Sequence, residues 1–249
     1  MKIITFCVAK GGSMKTTSCQ VIAELLGKSG KKVLCIDTDP QGNLTTVSGI
    51  DLLSVQDHNL YTLLKGYSKL DDCIVKSKYY DVLPSSLLMA SADTEFNQQG
   101  REYFLKEKIE GINYDYVLID CPPSLSLITI QALTASNSVI IPTEPSYLAM
   151  VGFNQLFTTI STVRKYSNKE LDILGILVAK YSERTNLNKV ILESLEEMAS
   201  SFDTKVFNTK IRETIKVREA QSQQVPLIEW AHNCSAVQDY STLIEELTL

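Results

Sequence analysis

With 249 residues, 44% of them hydrophobic and 21% charged, and a net charge of −5, the chain has the composition of a globular protein with enough apolar material for one sizeable core. The acidic balance, with a pI near 5.2, excludes a protein whose whole surface is a nucleic-acid footprint, while leaving room for a local basic patch. No segment approaches the roughly 18 consecutive apolar residues of a membrane span, and the six cysteines form no C-x-x-C pair or His cluster, which excludes a zinc site or a disulfide framework of recognisable spacing.

Taken in chain order, the first predicted element is a strand from Ile3 to Ala9, followed by the polar, glycine-bearing loop Lys10 to Thr17 and a helix from Thr16 to Lys28. Lys10-Gly11-Gly12 stands where a signal peptide would need a small-residue cleavage site, so the opening run reads as a buried strand. Further apolar runs follow at Lys32 to Asp37, Tyr79 to Leu83, Tyr114 to Asp120, Asn137 to Pro142 and Leu171 to Ala179. Segments of helical period separate them at Ser124 to Ala135, Val151 to Tyr166 and Asn188 to Ser200, and Ser241 to Leu249 reads as the end of a packed helix. Each strand run is short and does not alternate, the pattern of strands covered on both faces. The expectation is an α/β fold with a doubly wound, mostly parallel sheet flanked by helices, in one domain over residues 1–249. Cysteines lying in apolar runs read as reduced and buried, as in a cytoplasmic protein.

Ligands in such sheets sit beyond the carboxyl ends of the strands. Three strand ends there carry chemistry. The first is Lys10-Gly11-Gly12-Ser13-Met14-Lys15-Thr16-Thr17, between a strand and a helix. Such a loop wraps backbone N–H groups around phosphate oxygens, with a lysine (Lys15) reaching the β- and γ-phosphates and a hydroxyl (Thr16) binding Mg2+. The ordinary pattern G-x-x-x-x-G-K-[ST] fails at Ala9 and Met14, so these residues read equally as a Gly-Gly turn with solvated lysines. The second is Asp37-Thr38-Asp39-Pro40-Gln41-Gly42-Asn43, whose carboxylates could serve Mg2+ or an attacking water, or merely cap the strand. The third is Asp120, which ends four apolar residues before Cys121-Pro122-Pro123-Ser124 and matches a Walker B pattern whose carboxylate holds Mg2+.

Together these segments resemble the ParA/MinD family of P-loop ATPases. The first matches its deviant loop K-G-G-x-G-K-[ST]-[ST] at every position except Met14, and the others resemble its D-x-D-P-Q-G-N and D-x-P-P-S motifs. The resemblance implies ATP and Mg2+ as cofactors, residues 10–17 around the nucleotide, Lys10 and Lys15 on phosphates, and Thr16, Asp37 and Asp120 around the metal. It further implies Asp39 at the hydrolytic water and an ATP-sandwich homodimer in which Lys10 reaches the partner's nucleotide. Gly175 to Val178, with Arg184-Thr185-Asn186-Leu187, resembles the family's late strand and exit loop, and Thr209 to Arg212 the segment near the adenine. The implied function is that of a ParA/Soj-type DNA partition ATPase in the cytoplasm, associated with the nucleoid and stimulated by a ParB-like centromere-binding partner. The nucleotide loop begins within ten residues of Met1, which leaves no N-terminal helix-turn-helix domain in this reading.

Lys205, Lys210, Arg212, Lys216 and Arg218 cluster in an otherwise acidic chain. From the residues alone they read as a solvated helix face beside Glu213 and Glu219, and the resemblance adds binding of DNA without sequence preference. A MinD-like membrane ATPase would need a terminal basic amphipathic helix, which Ser241 to Leu249 does not supply, and Met14 suggests a third reading, a nucleotide-binding scaffold with weak hydrolysis. Trp230 reads as a packing residue, and His58 and His232 lack partners for catalysis or metal binding.

Overall fold

The structure, a computed structural model, describes residues 1–146, 152–182 and 186–249. Its centre is a seven-stranded sheet of β1 (Lys2–Phe6), β2 (Val33–Asp37), β3 (Asp81–Leu83), β4 (Tyr116–Asp120), β5 (Ser138–Thr143), β6 (Asp172–Tyr181) and β7 (Ile211–Arg212), in the order β3-β2-β4-β1-β5-β6-β7. Every pairing is parallel, as expected from the apolar runs. The short β7 at one edge has no counterpart among the predicted strands.

Successive residues of the central strands feed two apolar layers. Ile3, Leu34, Ile36, Val117 and Ile119 face one cluster, while Ile4, Phe6, Val33, Cys35 and Leu118 face the other. Helix α1 (Lys15–Lys28) covers the second cluster with Cys19, Ile22, Ala23 and Leu26. After the short α2 (Asn43–Val47), α3 (Leu127–Ala135) and α4 (Phe153–Tyr166) lie on the first cluster, α4 through Phe153, Leu156, Phe157, Ile160 and Val163. That spacing puts one stripe of the helix inward. Helix α5 (Asn186–Ser201) adds Ile191, Leu195 and Ala199 to the same layer. On the other face, α6 (Ile215–Ser222) and α7 (Ser235–Leu247) join α1, with Tyr240 fully buried. The predicted helix Ser124 to Ala135 starts later, at Leu127, because Pro122, Pro123 and the extended Ser126 keep the backbone out of the helical region. Val151, the predicted start of α4, lies outside the described residues. All six cysteines are free, five of them buried.

Helix α1 is pinned hard against the sheet edge: a Cβ on Gly27 would lie 1.8 Å from the Tyr79 carbonyl oxygen, so only glycine fits. One turn earlier Glu24 is buried, one carboxylate oxygen accepting the Ile228 N–H at 3.2 Å and the other without a partner among the described residues. Burial pushes its carboxyl from the ordinary 4.5 up to about 8. A carboxyl raised in this way takes up a proton on folding, so its contribution is favourable at low pH and is lost as pH rises from the unfolded value through the folded one. Glu24→Gln is therefore expected to make the loss of stability between about pH 5 and pH 8 shallower than in the parent. Urea unfolding midpoints across that range measure it.

Candidate functional site

The register of three strands builds the site. Phe6 pairs with Asp120 and Asp120 with Asp37, so β1, β4 and β2 end side by side. Cross-loop bonds lock these ends: Cys121 N donates to Phe6 O at 3.2 Å, and Thr38 donates to Asp120 O from its backbone N at 3.0 Å and its Oγ1 at 2.7 Å. Asp37 and Asp120 are both fully buried. Asp37 Oδ2 accepts Thr45 N and Thr45 Oγ1 at 2.8 and 2.7 Å, and Asp37 Oδ1 accepts Asp39 N at 3.2 Å. Thr16 Oγ1, from the first turn of α1, donates to Asp120 Oδ2 at 2.6 Å. Burial is the chief cause that raises both carboxyls, Asp37 to about 7 and Asp120 well above its ordinary value; repulsion from Asp37 adds to the rise of Asp120, and repulsion from Asp39 to that of Asp37. Asp120 Oδ1 is buried with no hydrogen-bond partner among the described residues. An orphaned carboxylate oxygen, a second buried carboxylate and a hydroxyl on the same oxygen set form a donor group of the hard, all-oxygen kind that suits Mg2+.

The loop opposite these acids opens α1. Its carbonyls and amides are turned by left-handed residues at Gly12 (φ 76°) and Met14 (φ 69°, ψ 22°), after which Met14 O accepts Ser18 N at 2.8 Å as the first helical bond. The N–H groups of Lys15, Thr16 and Thr17 thus have no partner inside the helix and form an anion-binding end. Lys15 is buried, its Nζ donating to Lys10 O at 3.3 Å, with Ser13 Oγ on the same carbonyl at 3.1 Å. A cavity of about 390 Å³ lies over the loop, lined by residues 11–17, Asp39, Asn43, Val47, Pro123, Lys180, Arg218 and Gln221. A larger cleft of about 750 Å³ lies at the other end of β2 and β3, around Lys32, Val33, Tyr80 and Asp81. Size alone would select that cleft, but its acids, Asp71 and Asp81, are exposed or partly exposed, and it holds no pair of buried carboxylates.

Lys10 stands beside this cavity, not in its lining. Its Nζ donates to Glu144 and to Ser146 Oγ, the latter at 2.9 Å, and Lys180 approaches the other Glu144 oxygen at 3.7 Å. Together the hydrogen bond and charge of Lys10 hold the Glu144 carboxyl below its ordinary range. Asp39 is nearly buried, and its Oδ1 accepts Gln41 N at 3.0 Å.

The five basic residues divide. Lys205 lies over the Phe207 ring at 5.5 Å, Lys210 donates to Asn208 O, Arg212 forms a two-pronged pair with Asp239, and Lys216 pairs with Glu219 one turn along α6. Arg218 instead lines the nucleotide-side cavity with Gln221, whose Nε2 donates to Thr17 Oγ1 at 3.1 Å. The segment Thr209 to Arg212, expected near an adenine, is held by Glu246 and Asp239 and does not line the cavity. Trp230, expected to pack, is 47% exposed with its Nε1 donating to Glu219. Arg184 and Thr185 lie outside the described residues. Lys180, Glu144 and Gln221 are site residues that the motifs did not reveal, since each is an isolated residue far from them in sequence.

A parallel sheet in this order, with a lysine- and glycine-bearing loop opening α1 and two buried aspartates beside it, defines a P-loop nucleoside triphosphatase. Residues 1–173 match the family described as AAA domain. The chain is 38% identical over 251 aligned residues to the sporulation initiation inhibitor protein Soj of Bacillus subtilis, covering 99% of this chain and 98% of that one. It is 34% identical to the chromosome-partitioning ATPase Soj of Treponema pallidum, covering 99% and 96%. Among solved structures, cobyrinic acid a,c-diamide synthase of Mycobacterium smegmatis, with bound ADP and magnesium, superposes with a TM-score of 0.86 at 29% identity, covering 99% of this chain and 94% of that one. The chain belongs to the ParA/Soj family of chromosome-partitioning ATPases.

Met14 carries a cost in this loop. A side chain at φ 69° crowds its own carbonyl, a strain of about 1 kcal/mol or more, and the Met14 side chain packs against the layer under α1. Met14→Gly is expected to raise the unfolding free energy by roughly 1 kcal/mol, read as a higher urea midpoint at unchanged m. An unchanged or lower midpoint would show that the packing outweighs the strain.

Proposed function

We propose that the chain is an ATP-hydrolysing DNA partition protein in which ATP and Mg2+ close a sandwich homodimer that binds DNA without sequence preference, and a ParB-like partner stimulates hydrolysis and release. The observation that carries this reading is the convergence of Lys15, the Thr16–Asp120 hydrogen bond and the orphaned Asp120 oxygen at one strand end. In this reading the amides of residues 11–17 and the Lys15 ammonium hold the β- and γ-phosphates. Thr16, Asp120 and, through its support, Asp37 hold Mg2+, which when bound neutralises charge building on the phosphates. Asp39, fixed by Gln41 N at the cavity wall, orients and deprotonates the attacking water. Lys10, carried on the loop but outside the cavity lining, serves the nucleotide of the partner protomer.

DNA then meets Lys205, Lys210, Arg212 and Lys216, which need only neutralise phosphates. Arg218 belongs to the nucleotide cavity in this assignment. The membrane-bound alternative finds less support: among the described residues no helix is long and apolar enough to cross a membrane, and α7 carries no Lys or Arg to meet anionic lipid. The weak-hydrolysis alternative turns on Met14, and phosphate release measured with DNA and the partner present separates it from the leading reading. The place of action is the nucleoid in the cytoplasm.

Retention on unrelated DNA duplexes, measured with ATP, ADP or no nucleotide over a salt series, tests the proposal. Retention is expected with ATP alone and should fall with salt, and Lys205→Gln with Lys216→Gln should flatten the log–log slope by about one unit for each lost phosphate contact. Retention indifferent to nucleotide would sink the reading. For the chemical step, Asp39→Ala is expected to keep ATP-dependent DNA retention while phosphate release drops at least roughly a hundredfold. Normal turnover in that variant would move the role to another carboxylate.

A further inference from the structure

Lys180 sits where the β6–β7 ladder slips: Ala179 pairs with Ile211 and Tyr181 with Arg212, which leaves Lys180 as an extra residue between the two pairs. Its φ is 54°, a left-handed conformation that side-chain-bearing residues other than Asn and Asp seldom take. A bulge of this kind re-aims a side chain, and backbone strain that persists is concentrated at functional sites. Here the side chain is aimed at the glycine loop. It lines the same cavity as residues 11–17 and Asp39, and its Nζ lies 3.9 Å from where a Cβ on Gly12 would stand. Its charge partner is Glu144 at 3.7 Å, which is shared with Lys10 and about a third exposed. One carboxylate thus faces two ammonium groups, and positive charge is left over beside the loop. A loose, solvent-screened pair is weak and gives no reason for a strained bulge.

We propose that Lys180 is a further phosphate-binding lysine, contacting in its own protomer the nucleotide held by the loop at residues 11–17, with Glu144 competing against the phosphate for the ammonium. The inference rests on the nucleotide-site reading above and adds to it a residue from the far side of the sheet. Lys180 joins Lys15 at the same cavity, so the phosphates are gripped at once from the first turn of α1 and from β6. Glu144 sets the cost of that grip, because its charge must be left by Lys180 and stays close to the anion.

Equilibrium titration of the full chain with ATP, ADP and AMP in Mg2+, at two salt concentrations, tests it. The variants are Lys180→Met, Lys180→Asn, Lys180→Arg, Glu144→Gln and Lys15→Ala. Asn tolerates the left-handed backbone, so agreement between Asn and Met attributes the effect to the lost charge and not to a damaged bulge. Both are expected to weaken ATP about tenfold, the size of one charge-assisted hydrogen bond, with AMP affected less and a shallower salt dependence. Arg should restore binding, and Glu144→Gln should tighten ATP. If Lys180→Asn and Lys180→Met bind ATP as the parent does while Lys15→Ala does not, the role of Lys180 is overturned and the nucleotide site stands. If Glu144→Gln weakens ATP as much as the Lys180 variants, the pair is structural and the proposal is overturned. If Lys15→Ala binds ATP like the parent, the nucleotide reading fails and Lys180 falls with it.

Discussion

Two carboxylates with no exposed surface, Asp37 and Asp120, end neighbouring parallel strands in register, and the surrounding site answers to their burial. Charge in that position is costly unless it is protonated, hydrogen-bonded or met by a cation. The protein supplies partial answers: Thr45 for Asp37, Thr16 for Asp120, and the Lys15 charge, which lowers the Asp120 carboxyl against the larger effect of burial. None reaches Asp120 Oδ1. The strand order makes this arrangement unavoidable, because β4 sits between β1 and β2 while the chain leaves β1 toward one edge and β4 toward the other. The crevice between those departures is where an α/β sheet takes its ligand.

Helix α1 carries the consequences of that crevice into the rest of the fold. Its first turn holds Thr16 and Thr17, its middle buries Glu24 against the N–H of Ile228, and its end touches the Tyr79 backbone through Gly27. Ser18 shares a 2.8 Å hydrogen bond with Tyr240 of α7, and Gln221 of α6 reaches Thr17. Asp239, beside Tyr240, in turn holds Arg212. The phosphate loop and the basic segment are therefore joined by a short run of direct contacts, each involving α1 or the helices packed on it. The Gln221–Thr17 bond ties α6 to the phosphate loop, and under the proposed function this packed, poorly compressible layer is the route by which nucleotide would reach the DNA-facing residues.

Much of the fold was legible because the sheet is buried on both faces, which turns each strand into a short apolar run. The same logic hides β7: two residues, Ile211 and Arg212, leave no run to read. The segments Lys10 to Thr17, Asp37 to Asn43 and Asp120 to Ser126 could be singled out because each is a few adjacent residues at a strand end, and the structure brings those ends side by side. Lys180, Glu144 and Gln221 were not, since each joins the site through the register of a remote strand or the facing of a remote helix. The bulge that aims Lys180 depends on β6 pairing with a strand that was itself unreadable. Arg218 was legible only as one member of a basic cluster in sequence, and α6 turns it toward the loop, where it lines the cavity. Trp230 shows the opposite error, a large apolar ring kept outside by a polar tip bonded to Glu219.

Charge is arranged in this cavity by sides. Asp37 and Asp120 end β2 and β4 and Asp39 follows β2, while Lys15 opens α1, Lys180 and Arg218 approach from β6 and α6, and Lys10 stands beside the cavity. Among the described residues, Glu144 is the acid that engages both Lys10 and Lys180. A ligand of uniform charge would be repelled by one wall or the other. A ligand that carries phosphate anions toward the loop and a divalent cation toward the aspartates matches both, and that pairing is what a magnesium–nucleotide complex presents. Such a division also explains why an acidic protein can hold a polyanion: Lys15 and Lys180 line one cavity with Lys10 beside it, where low-dielectric walls strengthen their field and the net charge of the chain is of little account.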